Sequence, residues 1–175
     1  MRIAIVSKND TIWALDTWER TIPMIRAHGH EVVGLFACNG QLGPHQGLAE
    51  VKWYLTLFGA RISFMLAIFS TLIFLRRHIM FLLGATSLSF KSLAKRECCN
   101  FGKLMTPNDP GFQVWLRNNK VDTLVIMVDQ ILSKKTLNIP KLGTINKHAS
   151  ALPANKGLFP YLWAKINDSP QGISF

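Results

Sequence analysis

Thr123-Leu124-Val125-Ile126-Met127-Val128 is an unbroken apolar and β-branched run with no polar residue alternating through it. Such a run fits a strand covered on both faces, as in the interior of a parallel sheet. Its surroundings supply the rest of a strand-helix grammar. Before it, Thr106-Pro107-Asn108-Asp109-Pro110 is a turn-rich entry to a helix through Phe112, Trp115 and Leu116. After it, a short helix is expected from Ser133 to Leu137, then a turn at Pro140 and a second strand at Gly143-Thr144-Ile145-Asn146. The N-terminal end repeats the pattern. Ile3 to Val6 reads as a short buried strand, and Ile12, Leu15, Trp18, Ile22 and Ile25 form one helical stripe that Gly29 stops. Val32, Val33, Leu35 and Phe36 then form a second buried strand, completing a βαβ unit. Pro23 lies within the stripe, so either a kink or a later helix start is expected there. The fold class expected from these elements is α/β, an open and mainly parallel sheet flanked by helices.

The middle of the chain is different. From Trp53 to Phe90 it is apolar on nearly every helical face, with Arg61, Arg76, Arg77 and His78 as its charged or titratable side chains. No acidic residue occurs between Val51 and Arg96, and residues 51 to 105 carry eight basic residues against one acid, Glu97. That is most of the formal net charge of +10 in under a third of the 175 residues. The uncharged run from Ile62 to Leu75 is roughly 21 Å long as a helix, short of the roughly 30 Å of a hydrocarbon core. The strands on either side must also meet in one sheet, so a single crossing is excluded by topology. Two arrangements satisfy the composition: a buried helical hairpin that packs on the sheet and turns at Arg76-Arg77-His78, or a segment lying at a membrane surface. The cations are interleaved with Phe, Leu and Ile, which suits anionic lipid better than a phosphate backbone, so no nucleic-acid partner is expected.

Several function classes lose their support. The four-residue apolar run after Met1-Arg2 is too short for a signal peptide, and Cys38, Cys98 and Cys99 have neither disulfide arithmetic nor metal-ligand spacing. A reducing cytoplasm is the expected compartment, and no metal site is expected. Gly-x-Gly-x-x-Gly, Walker, Gly-x-Ser-x-Gly and His-Glu-x-x-His patterns are absent.

Chemistry concentrates at Asn146-Lys147-His148-Ala149-Ser150-Ala151-Leu152-Pro153-Ala154-Asn155-Lys156-Gly157. The string begins at the carboxyl end of an expected strand, where open α/β sheets place their sites. Asn146 and His148 are two residues apart, so an extended backbone puts both side chains on one face. An amide donor beside an imidazole can polarise a carbonyl and move a proton near neutral pH, the requirement of acyl transfer to an amine.

The wider string resembles the folate-dependent formyltransferases, a family whose members formylate methionyl-tRNA, glycinamide ribonucleotide or nucleotide-linked amino sugars. The ordered match comprises Asn146, His148, Ser150, Leu152, Pro153, Lys156, Gly157, Pro160, Trp163, Ala164 and Gly172-Ile173-Ser174. His28-Gly29-His30-Glu31-Val32-Val33-Gly34 is similar to the family's second strand. Asp122 through Leu132, followed by Ile139-Pro140-Lys141-Leu142-Gly143, is a further match. Together these stretches cover about residues 1–40 and 105–175, with 53–90 as an apolar basic helical insertion in a single Rossmann-like domain.

The resemblance implies transfer of a formyl group from 10-formyltetrahydrofolate to a primary amine of a small molecule. An amino sugar, nucleotide- or lipid-linked, is the first expectation and methionyl-tRNA the alternative; an inactive folate- or membrane-binding remnant is a further one. Carried over by motif position, Asn146 would bond the formyl oxygen and His148 would stabilise its charge or shuttle the amine proton. Ser150, Ala151, Leu152 and Pro153 would line the folate site, and Gln130, Ile131 and Leu132 would border the pterin. Lys156 and Gly157 would meet the acceptor, although Lys156 reads equally as a solvated loop lysine. Two departures stand out. Ser7-Lys8-Asn9-Asp10 lacks the glycine common in the family's first turn. The chain also stops at Phe175, before the position of the family's catalytic Asp, so a C-terminally truncated domain is expected, with Asp168 no evident substitute.

Overall fold

A computed structural model of the chain describes residues 1–39, 48–148, 164–169 and 172, with only the backbone of 49 and 50. Five strands form one sheet: β1 (Arg2–Lys8), β2 (Glu31–Cys38), β3 (Asn100–Leu104), β4 (Thr123–Met127) and β5 (Gly143–Asn146). Their order is β3-β2-β1-β4-β5 and every pairing is parallel. The order reverses between β1 and β4, which makes the carboxyl ends of those two strands the topological switch point.

Helices cover both faces. α1 (Ala14–Ala27) and α3 (Phe90–Arg96) pack on one face. There Leu15, Trp18, Ile22, Phe90 and Leu93 meet Ile3, Ile5, Val32 and Leu35. α4 (Pro110–Asn118) covers the other face, where Phe112 and Leu116 meet Ala4, Val6, Phe36, Leu124 and Ile126. The starts are capped as their sequences require. The Oδ1 atom of Asp109 accepts from the amide of Phe112 at 2.8 Å, and Ser89 and Ser92 form a capping box at the head of α3. The short α5 (Lys134–Leu137) is capped by Ser133. Pro23 sits inside α1 without dividing it; the helix starts at Ala14, two residues after the stripe begins.

β2 tolerates no side chain at Gly34. A Cβ there would lie 2.6 Å from the Trp115 ring and 2.8 Å from that of Phe36. Gly102 on β3 faces the other side of Phe36 equally closely, at 2.6 Å. The two glycines make the slot in which an aromatic cluster of Phe36, Phe112 and Trp115 sits.

The middle segment corrects one expectation and adds one strand. α2 (Leu48–Leu82) is continuous through Arg76-Arg77-His78, so no turn occurs there, and its apolar side chains are not buried against the sheet. The break is at Gly59, whose φ of 74° and ψ of 164° are open to glycine alone. The Ser63 hydroxyl donates to the carbonyl of Tyr54 at 3.2 Å. In a straight helix those residues would be separated by about 13 Å along the axis, so the chain folds back at Gly59 into two arms, 48–58 and 60–82. The reason the charged triplet does not turn is electrostatic. Arg77 is buried and donates to the Ser87 carbonyl at 2.7 Å and to Glu19 at 3.2 Å, with Asp16 at 3.5 Å. Glu19, whose side chain is only 8% exposed, also accepts from Arg96 at 2.7 Å and from the amide of Ser87 at 2.6 Å. β3 was not among the expected strands: only Leu104 of its five residues is buried, and no apolar run marks it.

Candidate active site at the carboxyl edge of the sheet

Among the described residues β5 pairs with β4 alone, and Ile126 lies opposite Asn146. One further ladder bond, from the amide of Lys147 to the carbonyl of Ile126 at 3.0 Å, carries the extended backbone to His148. Asn146 thus stands exposed at the carboxyl edge, and His148 follows it half-buried. Between them Lys147 points to the opposite face, where burial lowers the pKa of its ammonium. Thr144, two residues before Asn146, has a buried hydroxyl with no hydrogen-bond partner among the described residues.

The loop after β4 is pinned from below. The Asn108 side-chain amide donates to the Ile131 carbonyl at 2.9 Å while its oxygen accepts from the amide of Ser133 at 2.7 Å. Gln130 donates to the carbonyl of Met105 at 3.0 Å, tying the loop to the end of β3. Within this fixed backbone Leu132 turns into the core and Ile131 is 91% exposed. An apolar side chain on a rigid loop is therefore presented to solvent at the same edge as Asn146. Ser150, Ala151, Leu152, Pro153, Lys156 and Gly157 lie outside the described residues. Asp168 occupies a tight turn with φ of 46° and is exposed.

The expectation from sequence did not include the ion pair at the switch point. Lys8, ending β1, meets Asp129, just past β4, at 3.1 Å, with both side chains about one-quarter exposed. Beside it Asn9 donates to Asn39 at 3.0 Å across the ends of β1 and β2. The Cys38 thiol is buried there, and desolvation together with the Asp129 carboxylate raises its pKa. No local pattern could reveal a pair so distant in sequence; the available signal was that each strand ends in polar residues. Among the described residues no three His, Cys, Asp or Glu side chains gather as a metal site would need.

No family model matches the chain. Curated relatives match part of it. A methionyl-tRNA formyltransferase of Bacteroides thetaiotaomicron is 40% identical over 67 residues, 38% of this chain and 21% of that protein. One of Clostridium tetani is 54% identical over 44 residues, 25% of this chain and 14% of that protein. The chain thus spans about a fifth or less of the length of these relatives. Solved structures match its fold almost throughout. Glycinamide ribonucleotide transformylase 1 of Symbiobacterium toebii superposes with a TM-score of 0.56 at 11% identity, over 99% of this chain and 63% of that one. The phosphoribosylglycinamide formyltransferase of Bacillus halodurans gives 0.55 at 15% identity, over 99% and 69%. Over part of its length the chain is similar in sequence to methionyl-tRNA formyltransferases, and over nearly all of it the fold is that of the glycinamide ribonucleotide formyltransferases.

Proposed function

We propose that this chain transfers the formyl group of 10-formyltetrahydrofolate to a primary amine of a small molecule, an amino sugar or a related compound. The observation that carries the proposal is the placement of Asn146 and His148 at the carboxyl end of β5, on the edge where a parallel sheet binds its ligands. The residues present fit a folate. Ile131 offers an exposed apolar surface on a clamped loop to a flat pterin, and Asn146 stands free to donate at the same edge. When bound, the folate supplies an electrophilic formyl carbon.

The side-chain amide of Asn146 donates to the formyl oxygen, most strongly as that oxygen gains charge under attack by the amine. His148 takes the proton that the amine loses as its bond to the formyl carbon forms. The same imidazole returns the proton to the departing nitrogen of the donor, so the reaction leaves the protein unchanged. Asn9, Asn39 and the Lys8–Asp129 pair border the switch point with groups able to bond sugar hydroxyls.

The test is turnover of 10-formyltetrahydrofolate by the full chain against amino sugars, glycinamide ribonucleotide and methionyl-tRNA. Formylation of an amino sugar is expected, reduced about 10²- to 10⁴-fold in His148→Ala. Folate binding without turnover of any acceptor would instead identify a binding module, and formylation of methionyl-tRNA alone would reassign the acceptor.

A further inference from the structure

We infer that the bent helix α2 is a membrane-surface anchor, and that its partner is an anionic lipid bilayer. The most apolar stretch within residues 51–82 has a mean hydropathy of 1.9, and none of it is buried. Ile62, Phe64, Met65, Leu66, Ile68, Phe69, Leu72, Phe74 and Leu75 are each at least 42% exposed. They follow one another too closely to form a stripe, so they surround the second arm. Apolar side chains on every exposed face exceed what one protein surface would cover, and a fluid lipid surface can follow the flanks that α1 leaves open. The charge has the matching sign. Lys52, Arg61 and Arg76 are exposed on α2 itself and Lys91 and Lys95 on α3; the sequence from Lys52 to Lys95 holds no acidic residue, Glu50 in the first turn of α2 preceding it.

The geometry excludes a crossing. β2 and β3 are hydrogen-bonded neighbours, from Gly34 opposite Asn100 to Cys38 opposite Leu104, so the chain leaves and returns on one side. Arg77 is fixed in the buried contact with Glu19, which leaves about 25 Å of helix between Ala60 and Arg76, less than a hydrocarbon core requires. Arg61 beside the bend, and the broken backbone at Gly59, are poorly tolerated deep in hydrocarbon. A hairpin lying in the headgroup region, with Arg61 and Arg76 among lipid phosphates, meets each constraint.

The hairpin is also aimed. Phe69 packs on Trp13, just before α1, in a tilted pair with ring centroids 5.6 Å apart, and Arg77 reaches Asp16 and Glu19 further along α1. The second arm therefore runs beside α1 in the same direction, and residues 60–68 extend past its start, beyond the carboxyl edge of the sheet. That edge carries Asn146, so membrane docking holds it near the lipid. On the formyl-transfer reading above, on which this last step rests, the acceptor is an amine carried at that surface.

Vesicle flotation of the full chain tests the anchor without any formyl donor, so its outcome is separate from that of the catalytic reading. The chain is expected to float with phosphatidylcholine vesicles containing phosphatidylglycerol, and less with phosphatidylcholine alone. Phe64→Glu combined with Leu72→Glu should weaken binding by at least about tenfold through lost apolar contact, with an unchanged thermal transition. Arg61→Gln and Arg76→Gln should each weaken binding to the anionic vesicles about fivefold. A chain that stays at the bottom of the gradient with both vesicle types would overturn the inference. So would a dimer that forms without vesicles and dissociates in the Phe64→Glu, Leu72→Glu variant, because the hairpin would then cover a second copy.

Discussion

α1 and α2 lie side by side and share an apolar character, yet one is core and the other is not. In α1 the apolar residues Leu15, Trp18 and Ile22 recur at helical spacing and are essentially inaccessible to solvent. In α2 they occupy every face, and Arg77, a charged residue, is the buried one. The periodicity of apolar residues, more than their number, determined which helix joined the sheet. A stripe has one buried face and one solvated face, which a two-layer fold can satisfy. A helix apolar all round needs a surrounding medium, and this sheet with its helices supplies contact along one line only.

That comparison predicts opposite responses to the same substitution. Trp18→Ala should destabilise the fold by about 3–5 kcal/mol, and Leu15→Ala by about 2–5 kcal/mol, in denaturant titration. Ile68→Ala, of similar chemistry but on α2, should change stability by no more than about 0.5 kcal/mol. Equal losses at Leu15 and Ile68 would break the distinction between the two helices. The polar contact that joins them should matter more than the apolar exterior of α2. Glu19→Ala leaves the buried Arg77 guanidinium with the Ser87 carbonyl and a more distant carboxylate, Asp16 at 3.5 Å, and should cost about 3 kcal/mol. Gly34→Ala drives a methyl group into the Trp115 and Phe36 rings and should cost about 1–3 kcal/mol. The smallest effect concerns reactivity. Burial pushes the Cys99 thiol up to about 11, so it holds little thiolate below that pH. Its alkylation at pH 8 should be slow and should accelerate as pH rises toward 11, measured by mass spectrometry of the labelled peptide.

Much of the fold is legible in the sequence because local signals agree with the tertiary result. β1, β2 and β4 are runs of buried apolar residues, α4 and α5 start at Asp109 and Ser133 as caps, and β5 follows the Pro140 turn. β3 was hidden because an edge strand, buried at Leu104 alone, carries no run to recognise. The bend at Gly59 was hidden because a glycine within an apolar stretch does not show which torsion angles it will take. Arg77 was read as part of a turn, since its partners Asp16 and Glu19 lie in another helix. At the candidate site, the motif singles out Asn146, His148 and the loop of Gln130 to Leu132, and their roles rest on the proposed function. The Lys8–Asp129 pair depends on strand order, which spacing cannot convey.

Under the proposed function, the carboxyl edge of this sheet carries out formyl transfer through Asn146 and His148. The most direct measurement is single-turnover formylation of an amino sugar by the full chain with labelled 10-formyltetrahydrofolate, comparing Asn146→Ala and His148→Ala with the unaltered protein. Labelled product is expected from the unaltered chain, with losses of about 10²-fold or more in each variant and an unchanged thermal transition. Product formed at equal rates by all three chains would contradict it.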